Sequence, residues 1–277
     1  MRNVLVIGGT RFFGQRLVNR LILNGDKVTV ASHNFSRTKF NSEVKMLSIE
    51  REDETSLASC RVNGPYDLVY DQICYSPTAA SLLSKIFAGL TGKLIHTSTQ
   101  SVYISNGFQK EEDFDYSQGK RLAEAVYFQK ARFPITAVRF PFVLGSDDYT
   151  GRLDFHIQRI ANELPIVAPN TSARTSLISA DEAADFLFWV GKMNFSGSIN
   201  ACSKGKVSLA EIIDTIESVL GKRAVVQESG KEEMTSPYSQ MDSRYLDTSR
   251  AEKLGFSFSN LENWLPALIQ ERVMTYR

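Results

Sequence analysis

Several kinds of residue and segment are scarce in this sequence, and each shortage excludes a class of protein. The cysteines Cys60, Cys74 and Cys202 are widely spaced and odd in number, so they form neither a disulfide framework nor a metal-ligand cluster. No apolar run approaches the length of a membrane span. Histidine is also rare. Neither His96 nor His156 has a second histidine or a carboxylate placed to share a metal ion, so we expect no metal site.

An excess of charge of either sign is missing as well. The chain has 32 basic and 31 acidic residues, and its net charge of +1 creates no field that would attract nucleic acid or an anionic membrane. Because Met1-Arg2-Asn3 leads directly into an apolar run, we expect no signal peptide, and the cytoplasm is the simplest compartment. A hydrophobic content of 43% over 277 residues is typical of a globular protein with a large core.

Apolar runs alternate with helical patterns through the first half of the chain. Apolar residues at helical spacing predict helices around residues 13–22, 82–90 and 122–128. Strands are predicted at Val4–Ile7, Val28–Ala31, Val44–Ile49, Leu68–Tyr70, Lys93–His96 and Ile135–Phe140. This alternation indicates an α/β fold, a doubly wound parallel sheet (Rossmann fold) with helices on both faces. Its ligand would lie beyond the carboxyl ends of the strands.

The second half of the chain predicts a smaller C-terminal substrate-binding lobe. Residues 147–172 and 228–247 lack a clear pattern and are interpreted as irregular. Helices are predicted at Asp181–Val190 after an N-cap at Ser179, at Ser208–Leu220 with a Ser208/Glu211 capping box, and at Leu261–Val273, with one strand at Ser198–Ala201. Residues 1–147 would form a dinucleotide-binding domain to which 173–203 returns. Residues 148–172 and 204–277 would form the lobe.

The first strand runs into a glycine turn that is typical of a phosphate site. Gly8 allows a tight turn after the strand and a close approach of the backbone to a pyrophosphate, and Gly14 lets the following helix lie close to the strand. The helix then presents free N–H groups and its positive dipole end to the anion. Arg11 stands where the middle glycine of the dinucleotide fingerprint is expected. The alternative is an ordinary connection between a strand and a helix.

A second pattern, Tyr116-Ser117-Gln118-Gly119-Lys120, places a tyrosine and a lysine four residues apart, on one face of a helix. A nearby ammonium stabilises tyrosinate and lowers the pKa of the phenol, so the tyrosine can exchange protons near neutral pH. The hydroxyl-rich end of the strand at 96–103 precedes this pair and can polarise the same substrate oxygen. The alternative is a pair of residues on a surface helix.

With these residues in place, the chain resembles the NAD-dependent epimerase/dehydratase family of nucleotide-sugar enzymes, within the extended short-chain dehydrogenase/reductase superfamily. The resemblance covers nearly the whole chain, including Arg139–Gly145 and the segment Arg174–Glu182. It implies that Tyr116 is the acid/base, that Lys120 tunes it and anchors a ribose, and that Thr99 is the catalytic Ser/Thr. It also implies that substrate is bound by Ser98, Thr99 and Arg174. Family members often pair through a four-helix bundle, for which the helices near residues 82–90 and 116–130 are the candidates.

The same resemblance implies the cofactor site. We expect it to contain Gly8, Thr10, Arg11, Phe12, Phe13, Gly14, His33, Asn34, Arg37, Arg51, Gln72, Tyr75, Thr97, Tyr116, Lys120, Pro141 and Phe142. An enzyme that prefers NAD usually has an acidic residue at the end of the second strand, and none stands there. His33, Asn34, Arg37 and Arg11 would instead meet a 2′-phosphate, which makes NADP the first choice and NAD the second. The alternative is that His33 and Arg37 are solvated loop residues.

We therefore expect an NAD(P)-dependent epimerase, dehydratase or reductase that acts on a nucleotide-linked sugar or a similar hydroxy/keto compound. Two departures from the family support an alternative, a non-catalytic regulatory protein that binds the dinucleotide. The turn Gly-Gly-Thr-Arg-Phe-Phe-Gly resembles a sub-branch that includes plastid proteins which bind RNA, and Phe142 stands where many members have a substrate-binding asparagine. A nucleic-acid binder is a weaker third alternative, because the chain has no basic excess.

Overall fold

The computed structural model describes residues 1–35, 38, 40–103, 107–111 and 120–276. Two predicted site residues, Arg37 and Tyr116, lie outside the described residues. The strands are β1 (Asn3–Ile7), β2 (Lys27–Ser32), β3 (Lys45–Ser48), β4 (Leu68–Asp71), β5 (Leu94–Thr99), β6 (Gly107–Gln109), β7 (Ile135–Phe140), β8 (Phe142–Leu144), β9 (Pro165–Val167), β10 (Arg174–Thr175), β11 (Leu177–Ser179), β12 (Gly197–Asn200), β13 (Val207–Ser208), β14 (Val225–Gln227) and β15 (Arg244–Leu246). The helices are α1 (Phe12–Leu23), α2 (Glu54–Ala58), α3 (Pro77–Ile86), α4 (Lys120–Lys130), α5 (Arg152–Ala161), α6 (Ala180–Val190), α7 (Leu209–Leu220), α8 (Ser249–Lys253) and α9 (Leu261–Tyr276).

The main sheet confirms the predicted doubly wound fold. Within the described residues it has seven strands in the order β12-β7-β5-β4-β1-β2-β3, and each neighbouring pair is parallel. The order of the strands along the chain reverses between β1 and β4, which opens a crevice at their carboxyl ends. The six strands predicted in the first half and the returning strand β12 are all present.

Helices cover both faces of this sheet, as predicted. On one face, Leu17 of α1 and Phe186 of α6 belong to the same buried cluster as Val6 of β1. On the other face, Leu83 of α3 and Ala123 of α4 pack with the alternate strand residues. Parallel strands buried on both faces carry apolar residues almost continuously, and the central strands of this sheet show such runs in the sequence.

The second lobe is more regular than predicted. The interpretation of residues 147–172 as irregular is wrong, because α5 and β9 lie there, and β15 lies in the supposed loop at 228–247. Helix α5 buries Leu153, Ile157 and Ile160 against α7 and α9. These apolar residues stand at helical spacing, but polar side chains separate them and the run has only ten residues. Such a short pattern is hard to distinguish from a loop.

One segment near the C-terminus packs against the main sheet. Helix α8 lies within the segment 204–277 that is predicted to belong to the lobe, yet Ala251 and Phe258 are buried in the core of the main sheet. The ring of Phe258 lies 5.5 Å from that of Phe186, and the ring of Phe256 lies 4.9 Å from it. Aromatic packing therefore attaches the segment around residues 249–258 to the core of the main sheet.

A buried ion pair holds the carboxyl ends of β5 and β7 together. Glu124 on α4 and Arg139 on β7 are 0% and 1% exposed, and Arg139 Nη2 lies 2.6 Å from Glu124 Oε1. Ser98 Oγ donates to Glu124 Oε2 at 2.5 Å, while Arg139 Nη1 donates to the carbonyl of Glu111 at 3.0 Å and to Tyr103 Oη at 2.9 Å. The network therefore joins α4, β5, β7 and the residues that directly follow β6.

Arg139→Met is expected to lower the free energy of unfolding by about 3–5 kcal/mol, because it leaves the Glu124 carboxylate buried without its charge partner. Urea unfolding measures this change. Lys85→Met is the control, since it removes the same charge from an exposed pair with Glu54 and should change the stability little. If the two variants unfolded at the same urea concentration, the buried pair would not have the stabilising role that we assign to it.

Candidate active site

A cavity of about 610 Å³ lies at the carboxyl ends of the central strands, between the main sheet and the second lobe. The structure brings most of the predicted site residues together in its lining. These are Gly8, Thr10, Arg11, Phe12, Phe13, Gly14, His33, Gln72, Tyr75, Thr97, Ser98, Thr99, Lys120, Pro141 and Phe142. The topological switch point of a doubly wound sheet is where such folds bind ligands, so the position of the cavity agrees with the fold.

The glycine turn has the geometry of an anion cradle. Gly8 has a φ of +86°, and a Cβ there would lie 2.5 Å from Ile73 Cγ2. A Cβ on Gly14 would lie 3.1 Å from the carbonyl oxygen of Gly8, so α1 sits directly against the turn. Within the described residues no side chain caps α1 and its first turn holds no acidic group, which leaves its N–H groups available to an anion.

Arg11 does not need to be glycine in this turn. Its φ is −141°, an extended conformation open to any residue, and the left-handed residue is Phe12 with a φ of +54°. The guanidinium carbon of Arg11 lies 5.8 Å from the centre of the Tyr149 ring, on the side of the cavity that faces the second lobe. The arginine therefore bridges the turn and the loop after β8.

Two buried polar atoms in the cavity wall have no hydrogen-bond partner among the described residues. They are Nε2 of Gln72, after β4, and Oγ1 of Thr97, on β5. These residues are only 6% and 5% exposed. Buried polar groups are nearly always paired, so both atoms fit a ligand that brings its own hydrogen-bonding groups.

Two predicted hydroxyl groups, those of Ser98 and Thr99, lie at the end of β5 and differ in their hydrogen bonds. Ser98 lines the cavity, but its hydroxyl proton is donated to the Glu124 carboxylate, so towards a substrate it could act only as an acceptor. Thr99 is only partly buried, and its Oγ1 accepts a 3.3 Å hydrogen bond from the backbone N–H of Ser101. The Thr99 hydroxyl keeps its own proton for a further acceptor.

Lys120 begins α4 and points its ammonium group at the cavity wall. Its Nζ lies 4.4 Å from the centre of the Tyr75 ring, a cation–π contact. Burial lowers the pKa of Lys120, while the nearby Cys74 and Asp71 act in the opposite direction. Because Tyr116 is outside the described residues, its position relative to Lys120 stays a prediction.

Three predicted ligand contacts are not supported by the positions of their side chains. Arg51 Nη2 lies 2.6 Å from Asp71 Oδ2 in a buried pair, and Arg174 Nη2 lies 2.7 Å from Glu211 Oε1. Neither arginine lines the cavity, and nor does Asn34. The Arg51 guanidinium is paired with a buried carboxylate, and that of Arg174 with a partly exposed one.

The second lobe supplies wall residues that the sequence did not reveal, among them Tyr149, Arg152, Gln240 and Arg244. Arg152 Nη1 donates to Thr150 Oγ1 at 2.8 Å, and its guanidinium carbon lies 5.5 Å from the centre of the Phe142 ring. Both Arg152 and Arg244 come from segments that the sequence marked as irregular. Recognising the short apolar spacing of α5 would have been the one available signal.

The wall of the cavity is basic although the whole chain is nearly neutral. The lining includes four basic side chains, those of Arg11, Lys120, Arg152 and Arg244. Within the described residues, no aspartate or glutamate lines the cavity. A concave site with charge of one sign concentrates ligands of the opposite sign. The arrangement therefore suits a ligand with several phosphate groups.

No protein-family model matches the sequence, and no curated protein matches it. Solved structures match it closely in shape. UDP-glucose 4-epimerase from Thermotoga maritima, solved with UDP-glucose, has a TM-score of 0.80 and 16% identity, and the match covers 99% of this chain and 100% of that one. The Bordetella bronchiseptica enzyme WbmH, solved with NAD+, has a TM-score of 0.77 and 15% identity. The match covers 100% of this chain and 99% of WbmH. The chain has the fold of these enzymes. MoeE5, solved with UDP-glucuronic acid and NAD, matches with a TM-score of 0.79 and 17% identity. The match covers 99% of this chain and 100% of MoeE5.

Two further features bear on what the described residues can bind. None of their helices combines the length and apolar character needed to pass through a lipid bilayer. Nor do they contain a group of three or more His, Cys, Asp or Glu side chains arranged to hold a metal ion.

Two buried histidines should make the protein sensitive to mild acid. Burial lowers the pKa of His96 and of His156 from 6.5 to about 4. The folded state therefore binds these protons less readily than the unfolded chain. Their neutral forms stabilise the fold above pH 6.5, and this stability falls as the pH drops from 6.5 towards 4, by up to about 3 kcal/mol for each ring.

Urea unfolding at several pH values tests this expectation. His96→Leu should reduce the loss of stability between pH 6.5 and 4.5 relative to the wild type, because one of the two titrating rings is gone. Ile95→Val is the control, since it removes one buried methyl group next to His96 and should lower the stability equally at each pH. An unchanged pH dependence in His96→Leu would contradict the assignment.

Proposed function

We propose that this protein is a nicotinamide-dinucleotide-dependent epimerase, dehydratase or reductase that acts on a nucleotide-linked sugar or a similar hydroxy/keto compound. The observation that carries the proposal is the basic cavity at the switch point, which lacks acidic side chains among the described residues. Two phosphate-rich molecules, a dinucleotide and a nucleotide sugar, would share such a space. Solved neighbours with the same fold contain NAD and UDP-glucose or UDP-glucuronic acid, which supports the choice of ligands.

The residues of the cavity fit a dinucleotide. The glycine turn and the N-terminus of α1 would hold the pyrophosphate, and Gln72 and Thr97 have buried polar atoms that such a ligand could satisfy. Lys120 would hold the hydroxyls of the nicotinamide ribose. When bound, the cofactor supplies a carbon that accepts or returns a hydride. The neighbours support NAD, and they offer no support for NADP as the first choice.

The protein's own part in the chemistry would be to move a proton and orient the substrate oxygen. Tyr116 would take the proton of a sugar hydroxyl at its phenolic oxygen and return it later in the reaction. The Lys120 ammonium would stabilise the tyrosinate form. Thr99, whose hydroxyl proton is not used by its contact with the Ser101 N–H, would donate a hydrogen bond to the same oxygen.

Phosphates of the substrate would bind on the side of the cavity formed by the second lobe. Arg152 and Arg244 line that side, whereas Arg174 is paired with Glu211. Guanidinium groups bind phosphate oxygens through two parallel hydrogen bonds. We therefore assign to Arg152 and Arg244 the role that the sequence assigned to Arg174.

Tyr116→Phe should abolish turnover of the correct nucleotide sugar, by at least about 100-fold, because it removes the only proton that the ring can transfer. Binding of NAD should persist, since the aromatic ring remains. A thermal-shift screen of nucleotide sugars with NAD present would first identify the substrate, as ligands that bind only the folded state raise its melting temperature.

Equal turnover in the wild type and Tyr116→Phe would overturn the enzymatic role of this tyrosine. Binding of NAD without any turnover of a bound nucleotide sugar would favour the non-catalytic regulatory alternative. A pairing of two copies through α3 and α4 also stays a prediction, which sedimentation of the purified protein would test.

Arg152→Met and Arg244→Met should each weaken binding of UDP-glucose or a related nucleotide sugar about tenfold, because each removes a charge-assisted hydrogen bond to phosphate. Arg174→Met is the matched control and should leave this affinity close to that of the wild type. Calorimetric titration in the presence of NAD measures the affinity of each of the three variants for the nucleotide sugar. A larger loss in Arg174→Met than in the other two variants would reverse the assignment.

A further inference from the structure

A neutral hydroxyl group holds Arg152, one of the two cavity-lining arginines that we assign to the substrate. Arg152 Nη1 donates to Thr150 Oγ1 at 2.8 Å, and both residues line the cavity. No carboxylate of the described residues forms an ion pair with Arg152. Arg51 and Arg174, in contrast, are paired directly with carboxylates and do not line the cavity. The charge of Arg152 is therefore available to an anionic ligand.

A carboxylate lies one hydrogen bond further away and fixes the orientation of that hydroxyl. Thr150 Oγ1 donates to Asp148 Oδ1 at 2.6 Å, and the backbone N–H of Thr150 donates to the same oxygen at 2.9 Å. A hydroxyl has one proton, and the carboxylate accepts it here, so the Thr150 oxygen acts towards Arg152 as an acceptor. The hydrogen bonds thus run in one direction, from the guanidinium through the hydroxyl to the carboxylate.

An aromatic column supports the same guanidinium group. The guanidinium carbon of Arg152 lies 5.5 Å from the centre of the Phe142 ring, a cation–π contact. The Phe142 ring meets the ring of Tyr238 edge to face at 5.2 Å, and Tyr238 stacks on His156 at 5.0 Å. Nδ1 of His156 lies 2.9 Å from the carbonyl oxygen of Arg152, so the column ends on the residue at which it begins. Strand β8, helix α5 and the segment before β15 are joined around this arginine.

These contacts orient Arg152 without neutralising it. An arginine side chain that rotates freely loses conformational entropy when it binds a ligand, and this loss weakens binding. Contacts with Thr150 and Phe142 fix the guanidinium before a ligand arrives. A direct ion pair, such as that of Arg174 with Glu211, would also fix it but would compete with the ligand for its N–H groups. A hydroxyl between the two charged groups leaves the other guanidinium donors for phosphate oxygens.

We propose that Thr150, itself held by Asp148, is a positioning residue that orients Arg152 for the phosphate groups of a nucleotide-linked substrate. This inference rests on the proposed function, because it takes Arg152 to bind those phosphates. It gives a role to residues 148–152, which the sequence alone marks as irregular.

Calorimetric titration of the full-length protein, with UDP-glucose as the first nucleotide sugar and separately with NAD, tests the proposal. Thr150→Val keeps the shape of the side chain but removes the hydroxyl, and it should weaken binding of the nucleotide sugar about fivefold. Thr150→Ser keeps the hydroxyl and should bind the sugar like the wild type. The affinity for NAD should be the same in both variants, since a general distortion of the cavity would lower both affinities.

Thr215→Val is the matched control. It removes a hydroxyl that donates to the carbonyl of Glu211 within α7, away from the cavity, and should change neither affinity. Adding Thr150→Val to Arg152→Met should cause no further loss of affinity for the nucleotide sugar, because the arginine that the hydroxyl orients is then absent.

Four results would each overturn the proposal. They are an unchanged affinity for the sugar in Thr150→Val, an equal loss of affinity for NAD, a Thr150→Ser variant as weak as Thr150→Val, and a further fivefold loss in the double variant. If Arg152→Met alone weakens binding, the proposed function stands although this inference fails. A wild-type protein that binds no nucleotide sugar overturns the proposed function itself, and with it this inference.

Discussion

The buried pair between Arg139 and Glu124 is the interaction on which the geometry of the site depends. One charged side chain comes from β7 and the other from α4, and both are almost fully removed from water. Burying two charges is costly unless each finds its partner and further hydrogen bonds. Here the remaining positions are satisfied by Ser98, Tyr103 and the carbonyl of Glu111, so the pair is stable only when all these elements are in place.

That requirement explains how the cavity acquires its shape. Ser98 is held by the pair, and the next residue, Thr99, is consequently presented at the cavity wall. Lys120 begins the same helix that carries Glu124, so its ammonium reaches the cavity one helical turn away. The loop that precedes the segment with Tyr116 is attached through Glu111. A structural interaction thus positions several residues that we assign to function.

The cavity is basic because several acidic side chains form ion pairs elsewhere in the fold. Asp71 is paired with Arg51, Glu124 with Arg139 and Glu211 with Arg174, all away from the cavity wall. The basic side chains that line the wall come from both halves of the chain. A chain with a net charge of +1 can therefore present a strongly basic site.

Periodicity determined most of the first domain from the sequence alone. The buried parallel strands have nearly continuous apolar runs, and the glycine turn between β1 and α1 needs a residue without a side chain at Gly8. The capping box of Ser208 and Glu211 likewise identified the start of α7. These signals are local, and a local signal survives in the sequence because its partners are only a few residues apart.

What the sequence left open was decided by contacts between distant segments. Whether Arg51, Arg174 or Arg152 faces the cavity depends on which carboxylate lies nearby in space, and the charge of an arginine is the same in each case. The elements of the fold follow from the local pattern of residues, whereas the identity of the ligand-facing side chains follows from tertiary pairing, since charge and hydrogen bonding act between neighbours in space.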